Sequence, residues 1–262
     1  MHERSRHHRR ARTAIVAAMS QELDALLAGV VHDHVEVHAG RHFHFSRLHG
    51  EPVVMVLCGI GKVAAATTAT LLAERYGVER LVFTGVAGGL HAQARVGDVV
   101  VATELLQHDM DARPLFPRHE VPLTGRSRFG ADAALSAALA QAVAASLASG
   151  SQFLGDEALP LIGPGRSPSL HQGLVVSGDV FVASAAASQA LRDELPEALA
   201  VEMEGAALAQ ACHDLSLPFA VLRTISDRAD DTAHVDFLRF VEVVAARVSA
   251  AVIGHWLKAL PT

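Results

Sequence analysis

Two hydrophobic patterns alternate along the chain. Short runs that are apolar throughout, such as TAIVAAM (13–19), PVVMVLC (52–58) and RLVFTGVAGGL (80–90), read as strands buried on both faces. Similar runs follow at GDVVVAT (97–103), GLVVSGDVF (173–181), ALAVEME (198–204) and PFAVLRTISD (218–227), the last three ending in polar residues. FHFSRLHG (43–50) alternates instead, as an edge strand or hairpin arm does. Between these runs the period becomes helical, over 20–30, 63–77 with Gly77 as C-cap, 131–149, 205–215 and 234–259. Residues 107–128 and 150–171 read as loops. Strands alternating with helices predict one α/β domain, a three-layer α/β/α arrangement around a twisted, mixed but mostly parallel sheet. Ligands of such sheets bind beyond the carboxyl ends of the strands, so polar residues gathered there are the site candidates.

Half of the 262 residues are hydrophobic, enough for a large core. The net charge of −6 is uneven: residues 1–12 hold five Arg and one Glu, a net +4, which leaves −10 on the rest. An acidic body argues against nucleic acid as a partner. Residues 1–12 read as a basic, disordered extension ahead of a domain spanning 13–262, and they lack the apolar stretch of a secretory signal. No apolar run reaches the roughly 20 residues of a membrane span. Cys58 and Cys212 lie in apolar stretches and read as buried, reduced thiols. These features predict a soluble, cytoplasmic protein.

Several polar groups then stand out. Glu202 and Glu204 flank Met203 where a strand turns into a helix, and ionised carboxylates are costly to bury without partners. Glu22 falls in the first turn of a helix, where an acid can simply answer the helix dipole. CGIGKVAAA (58–66) matches G-x-G-x-x-A, but Glu79 precedes the next strand rather than ending it, so a tight glycine turn is favoured over a dinucleotide site. TGVAGG (84–89) offers amides that a ligand can approach closely. Phe181, beyond a strand end, suits core packing or ligand stacking. Arg223, Ser226 and Asp227 close the last strand, and an Arg223–Asp227 ion pair is one reading. Among sixteen histidines, QHDMD (107–111) and CHD (212–214) lack a metal-ligand spacing, so no metal is expected. There is no G-x-S-x-G elbow.

The order of AAMSQEL, GIGKVAAA, TGVAGGL…VGDVVVA, HDMD, GLVVSGDVF, VEMEGAALA and VLRTISD resembles the purine nucleoside phosphorylase/hydrolase superfamily. Within it the chain is similar to the 5'-methylthioadenosine/S-adenosylhomocysteine nucleosidase family, over roughly 13–257. The resemblance implies a nucleoside phosphorylase-like fold and cofactor-free hydrolysis of 5'-thio-substituted adenine nucleosides. It places the ribose hydroxyls on Glu204 and the sugar face on Met203. Glu22 becomes the general base, and Asp227, held by Ser226, protonates the purine N7. Arg223 orients the water or Glu22 and points away from Asp227, which requires the strand to bend between positions 223 and 227. Phe181 stacks on the purine, the Val182 backbone reads its edge, and Met19, Val86 and Ala87 complete the substrate contacts. Ile60 and Leu115 are candidates for the 5'-thioalkyl pocket. A neighbour's loop within 108–122 helps build that pocket, which implies a homodimer.

Two features depart from the family pattern. Val86 stands where the hydrolases usually carry Ser, and the loops at 107–128 and 150–171 look long. Phosphorylase relatives hold phosphate with Arg and Ser at the positions of Phe83 and Val86, and an apolar pair there favours water as the nucleophile. Phosphorolysis, hydrolysis of another 5'-modified adenosine such as aminodeoxyfutalosine, and a nucleoside-binding sensor are the alternatives.

Overall fold

A computed structural model describes residues 12–28, 30, 32–149, 154–163, 165–229 and 237–260. The basic extension up to residue 11, part of the 150–171 loop and the start of the 234–259 helix lie outside the described residues. The strands are β1 (Thr13–Ala17), β2 (His32–His38), β3 (Arg41–Leu48), β4 (Glu51–Leu57), β5 (Arg80–Gly89), β6 (Val99–Gln107), β7 (Arg128–Gly130), β8 (Leu170–Ser177), β9 (Ala198–Glu202) and β10 (Phe219–Asp227). The helices are α1 (Ser20–Leu27), α2 (Lys62–Glu74), α3 (Ala133–Ala148), α4 (Leu159–Ile162), α5 (Ala185–Glu194), α6 (Gly205–Asp214), α7 (Phe237–Phe240) and α8 (Ala246–Lys258), with a π turn over Val241–Ala245.

All ten strands belong to one mixed sheet. Parallel pairings run β4–β1–β5–β10 and β6–β8–β9, and antiparallel ones join β5 to β9 and β10 to β6. Because β10 pairs with both β5 and β6, the strands β10–β6–β8–β9–β5 close into a ring. The continuous apolar runs follow from burial on both faces: β1 is wholly buried, and β10 is buried up to Asp227. On one face Phe83, Ala87, Val221 and Ile225 pack with residues of α2 and α6; on the other Val82, Leu222 and Ile15 pack with α1, α3 and α8. This is the expected three-layer arrangement.

The differences from the pattern lie at element ends and edges. The 43–50 run is a hairpin arm paired with β2, so the edge strand is β2. β6 runs on to Gln107, and β8 stops at Ser177, which leaves Phe181 in the following loop. The helix read over 20–30 ends at Leu27. Among the described residues no helix is long and apolar enough to cross a membrane.

Candidate active site

The carboxyl ends of β1, β5, β9 and β10 surround a cavity of about 170 Å³ with a mostly apolar wall. Met19, Ile60, Val86, Ala87, Phe181, Val182, Met203, Glu204, Arg223, Ser226 and Asp227 line it, together with Glu202 and Phe237. Glu22 lies just behind this lining, fully buried. Leu115 is 82% exposed on the 112–116 turn and does not line this subunit's own cavity. Within one subunit it therefore forms no part of the pocket. Phe181 is half-exposed at the mouth, edge-on to Phe237, so it does not serve the core.

Glu202 and Glu204 divide the work at the junction of β9 and α6. The first amides of a helix have no partners inside it. The Glu202 carboxylate accepts from the Glu204 and Gly205 amides at 2.9–3.2 Å, and the Ser177 hydroxyl accepts from the Ala206 amide at 2.7 Å. Ser177 in turn donates to Glu202. Glu202 also pairs with Arg223 Nη2 at 2.7 Å, and both side chains are almost fully buried. This ion pair spans the closed ring from β9 to β10, so Glu202 is a structural anchor. Arg223 further donates to the carbonyl of Leu222 and lies 4.0 Å over the Phe83 ring. Its carboxylate partner is Glu202, which sequence reasoning missed, and not Asp227.

Glu204 accepts from the Gly61 amide at 2.7 Å and has no cationic side chain hydrogen-bonded to it among the described residues. Gly61 sits at φ 96°, so the glycine turn of GIGK presents its amide to this acid rather than to a dinucleotide. Burial, and then the neighbouring Glu202, push the Glu204 carboxyl upward; the Gly61 amide and Arg223 oppose them. Glu22 Oε2 accepts the Met19 amide at 3.3 Å, the reciprocal half of a helix cap, so dipole compensation is part of its role. Its Oε1 is buried with no hydrogen-bond partner among the described residues. Burial raises the Glu22 pKa to about 7 against the pull of Arg223.

The required bend in β10 is present. Ile225 pairs with Ala87 and Asp227 with Gly88, so Ser226 is an extra residue, a β-bulge. The bulge breaks the two-residue alternation and puts Asp227 out of phase with Arg223. Ser226 Oγ donates to Asp227 Oδ2 at 2.7 Å, and the Ala229 amide to Oδ1 at 2.7 Å. A side chain at Gly88 would put its Cβ 2.9 Å from Asp227 Oδ1, so the glycine makes room for the acid. Among the described residues no group of three His, Cys, Asp or Glu could hold a metal ion.

The phosphorylase superfamily model matches residues 12–257. The 5'-methylthioadenosine/S-adenosylhomocysteine nucleosidase of Chromohalobacter salexigens is 35% identical over 249 residues, covering 95% of this chain and 97% of that protein. The Streptococcus pneumoniae MTA/SAH nucleosidase, solved with 8-aminoadenine, superposes with a TM-score of 0.81 at 33% identity, covering 95% of this chain and all of that one. A futalosine hydrolase from Helicobacter pylori superposes with a TM-score of 0.80 at 31% identity, covering 95% and 97%.

Proposed function

We infer that this chain, which belongs to the 5'-methylthioadenosine/S-adenosylhomocysteine nucleosidase family of the phosphorylase superfamily, hydrolyses the N-glycosidic bond of 5'-thio-substituted adenine nucleosides. The bond from the ribosyl carbon to adenine breaks with its electron pair going to the base. Asp227, with Ser226 on one oxygen, delivers a proton to N7. Glu22 takes a proton from the water whose oxygen bonds to the ribosyl carbon. Glu204 receives the ribose hydroxyls, Met203 covers the sugar, and Phe181 and Val182 hold the purine. The observation that carries this reading is the unpartnered, buried Oε1 of Glu22, at a carboxyl whose pKa of about 7 suits a base at neutral pH.

Water is favoured over phosphate by a further point. Among the described residues, the one cation lining the cavity is Arg223, and Glu202 already matches it. Phe83 and Val86 add no charge. Adenine release from methylthioadenosine is expected in phosphate-free buffer containing a chelator. Strict phosphate dependence would transfer the assignment to a phosphorylase, and tight adenine binding without turnover to a sensor.

A second reading concerns the 5' group. Ile60 and Val180, each 62% exposed, leave the mouth open, and the futalosine hydrolase has a similar fold. Adenine release across methylthioadenosine, S-adenosylhomocysteine, 5'-deoxyadenosine and aminodeoxyfutalosine ranks these substrates. A homodimer would cover the exposed Ile60, Val63, Leu115 and Leu123 and would bring a partner's 108–122 loop to the mouth. Light scattering on the purified protein tests it. Two buried free thiols, Cys58 and Cys212, suit a reducing cytoplasm.

A further inference from the structure

We propose that Asp98 is a positioning residue for Asp227, acting through the backbone on both sides of Ile225. The inference rests on the reading of Asp227 as the proton donor. Asp98 is 1% exposed and lies outside the cavity lining. Its carboxylate is saturated. Oδ1 accepts from Arg166 Nη2 at 2.6 Å and the Ser169 amide at 3.0 Å. Oδ2 accepts the Arg95 amide at 3.0 Å and lies 3.0 Å from His171 Nε2. Arg166 also donates to the Val96 carbonyl at 2.8 Å. One buried acid thus ties the 95–98 turn to the start of β8 through two cationic or polar side chains and two amides.

That turn grips β10 immediately before its functional end. The Gly97 amide donates to the Ile225 carbonyl, and the Ile225 amide to the Asp98 carbonyl, both at 2.8 Å. The next residue is Ser226, the bulge that sets the direction of Asp227. On the other side of β10, a Cβ on Gly89 of β5 would come within 2.6 Å of the Ala94 carbonyl and 3.1 Å of Ile225 Cγ2, so the glycine lets both approach β5 closely. A bulge adds an unpaired residue and therefore has more freedom than a regular ladder. Holding both the amide and the carbonyl of Ile225 from residues 97 and 98 removes that freedom. Proton transfer needs such control, because a misplacement of about 1 Å can cost a hundredfold in rate.

The test pairs two leaving groups. In Asp98→Asn, kcat for methylthioadenosine should fall about 10- to 100-fold, with KM little changed. A p-nitrophenyl 5-methylthioriboside, whose leaving group needs no proton, should lose less than about threefold. Equal losses on the two substrates, or none on either, would overturn the proposal. Arg166→Gln keeps the acid and its backbone donors; it should show the same selectivity at smaller size, and it carries the test if Asp98→Asn does not fold. Asp227→Asn examines the acid assignment separately, since loss of that selectivity there would remove the donor. A crystal structure of the Asp98→Asn or Arg166→Gln protein decides the coupling alone. Displacement of residues 225–227 is expected, and an unchanged bulge would sink the inference whatever Asp227→Asn does.

Discussion

Asp98 and Glu22 are carboxylates of nearly equal burial, one leading into β6 and the other in the first turn of α1, and their surroundings treat them in opposite ways. Asp98 faces two side chains and two amides. Glu22 receives one long amide bond and keeps a bare oxygen. The same contrast recurs two residues apart in β9 and α6: Glu202 is tied to Arg223, Ser177 and two amides, while Glu204 accepts from Gly61. Burial does not separate acids that hold the fold from acids kept for a ligand. Partner count does. An acid with all its partners inside the chain has nothing left to offer a substrate, whereas a buried acid without them raises the energy of the empty site.

The largest test of this contrast is Glu22→Gln. Removal of a general base costs on the order of 10²- to 10⁴-fold in rate. The amide keeps the shape, so calorimetric titration with an adenine nucleoside analogue should give near-normal affinity while kcat collapses. Near-normal turnover would break the comparison, because the bare oxygen would then have no chemical use.

The opposite class of acid should fail in the opposite way. Glu202→Gln leaves Arg223 buried beside a neutral amide, and loss of one partner of a buried pair costs about 3–5 kcal/mol. Thermal unfolding should show a large fall in Tm. Turnover of the remaining folded protein should fall much less than in Glu22→Gln. A Tm within a degree or two of the wild type would mean that the clamp across the strand ring is not a stability element.

The sequence carried one half of this contrast more clearly than the other. Buried strands are uninterrupted apolar runs, so β1, β4, β5 and β10 were visible from the hydrophobic pattern alone. β2, HDHVEVH, was not, because an edge strand carries polar side chains and its polarity hides the period. The strand-end acids were visible as misfits in apolar surroundings. Which of Glu202 and Glu204 is paired was not, because that depends on Arg223 crossing a ring closed by the β10–β5 and β10–β6 pairings. The bend needed at 223–227 follows from alternation, but its physical form, the Ser226 bulge, depends on register with β5. Leu115 reads as a pocket residue only through resemblance, and one subunit leaves it in solvent.

The cost of an unpartnered acid should appear in the pH dependence of stability. The Glu22 pKa stands near 7 in the folded chain against an ordinary value of 4.5. Between those values the folded state holds the proton that the unfolded chain has lost, so stability falls as pH rises through this window and is flat above it. Glutamine has no such dependence. Glu22→Gln should therefore gain on the wild type between pH 5 and 8, by up to about 3 kcal/mol, in denaturant titrations at each pH. The wild-type kcat/KM should rise across the same window, because the base must be ionised. A stability difference independent of pH would show that Glu22 is paired in solution.

The smallest expected effect belongs to Val86, on the apolar wall of the cavity. Val86 lines the cavity beside Ala87 and Gly88 and contributes to the apolar surroundings of the pocket acids. Val86→Ser offers a hydroxyl to the water or the ribose, worth about 1 kcal/mol, so kcat/KM for methylthioadenosine should rise a few-fold. The lost methyl groups should lower stability by a similar amount. No phosphate dependence should appear, because a serine hydroxyl adds no charge and Arg223 remains matched by Glu202. Turnover of the Val86→Ser protein with and without phosphate therefore sharpens the distinction between paired and unpaired charge. If phosphate became a required co-substrate, Arg223 would have to leave Glu202 for an anion, and Glu202 could no longer be counted among the acids whose partners are complete.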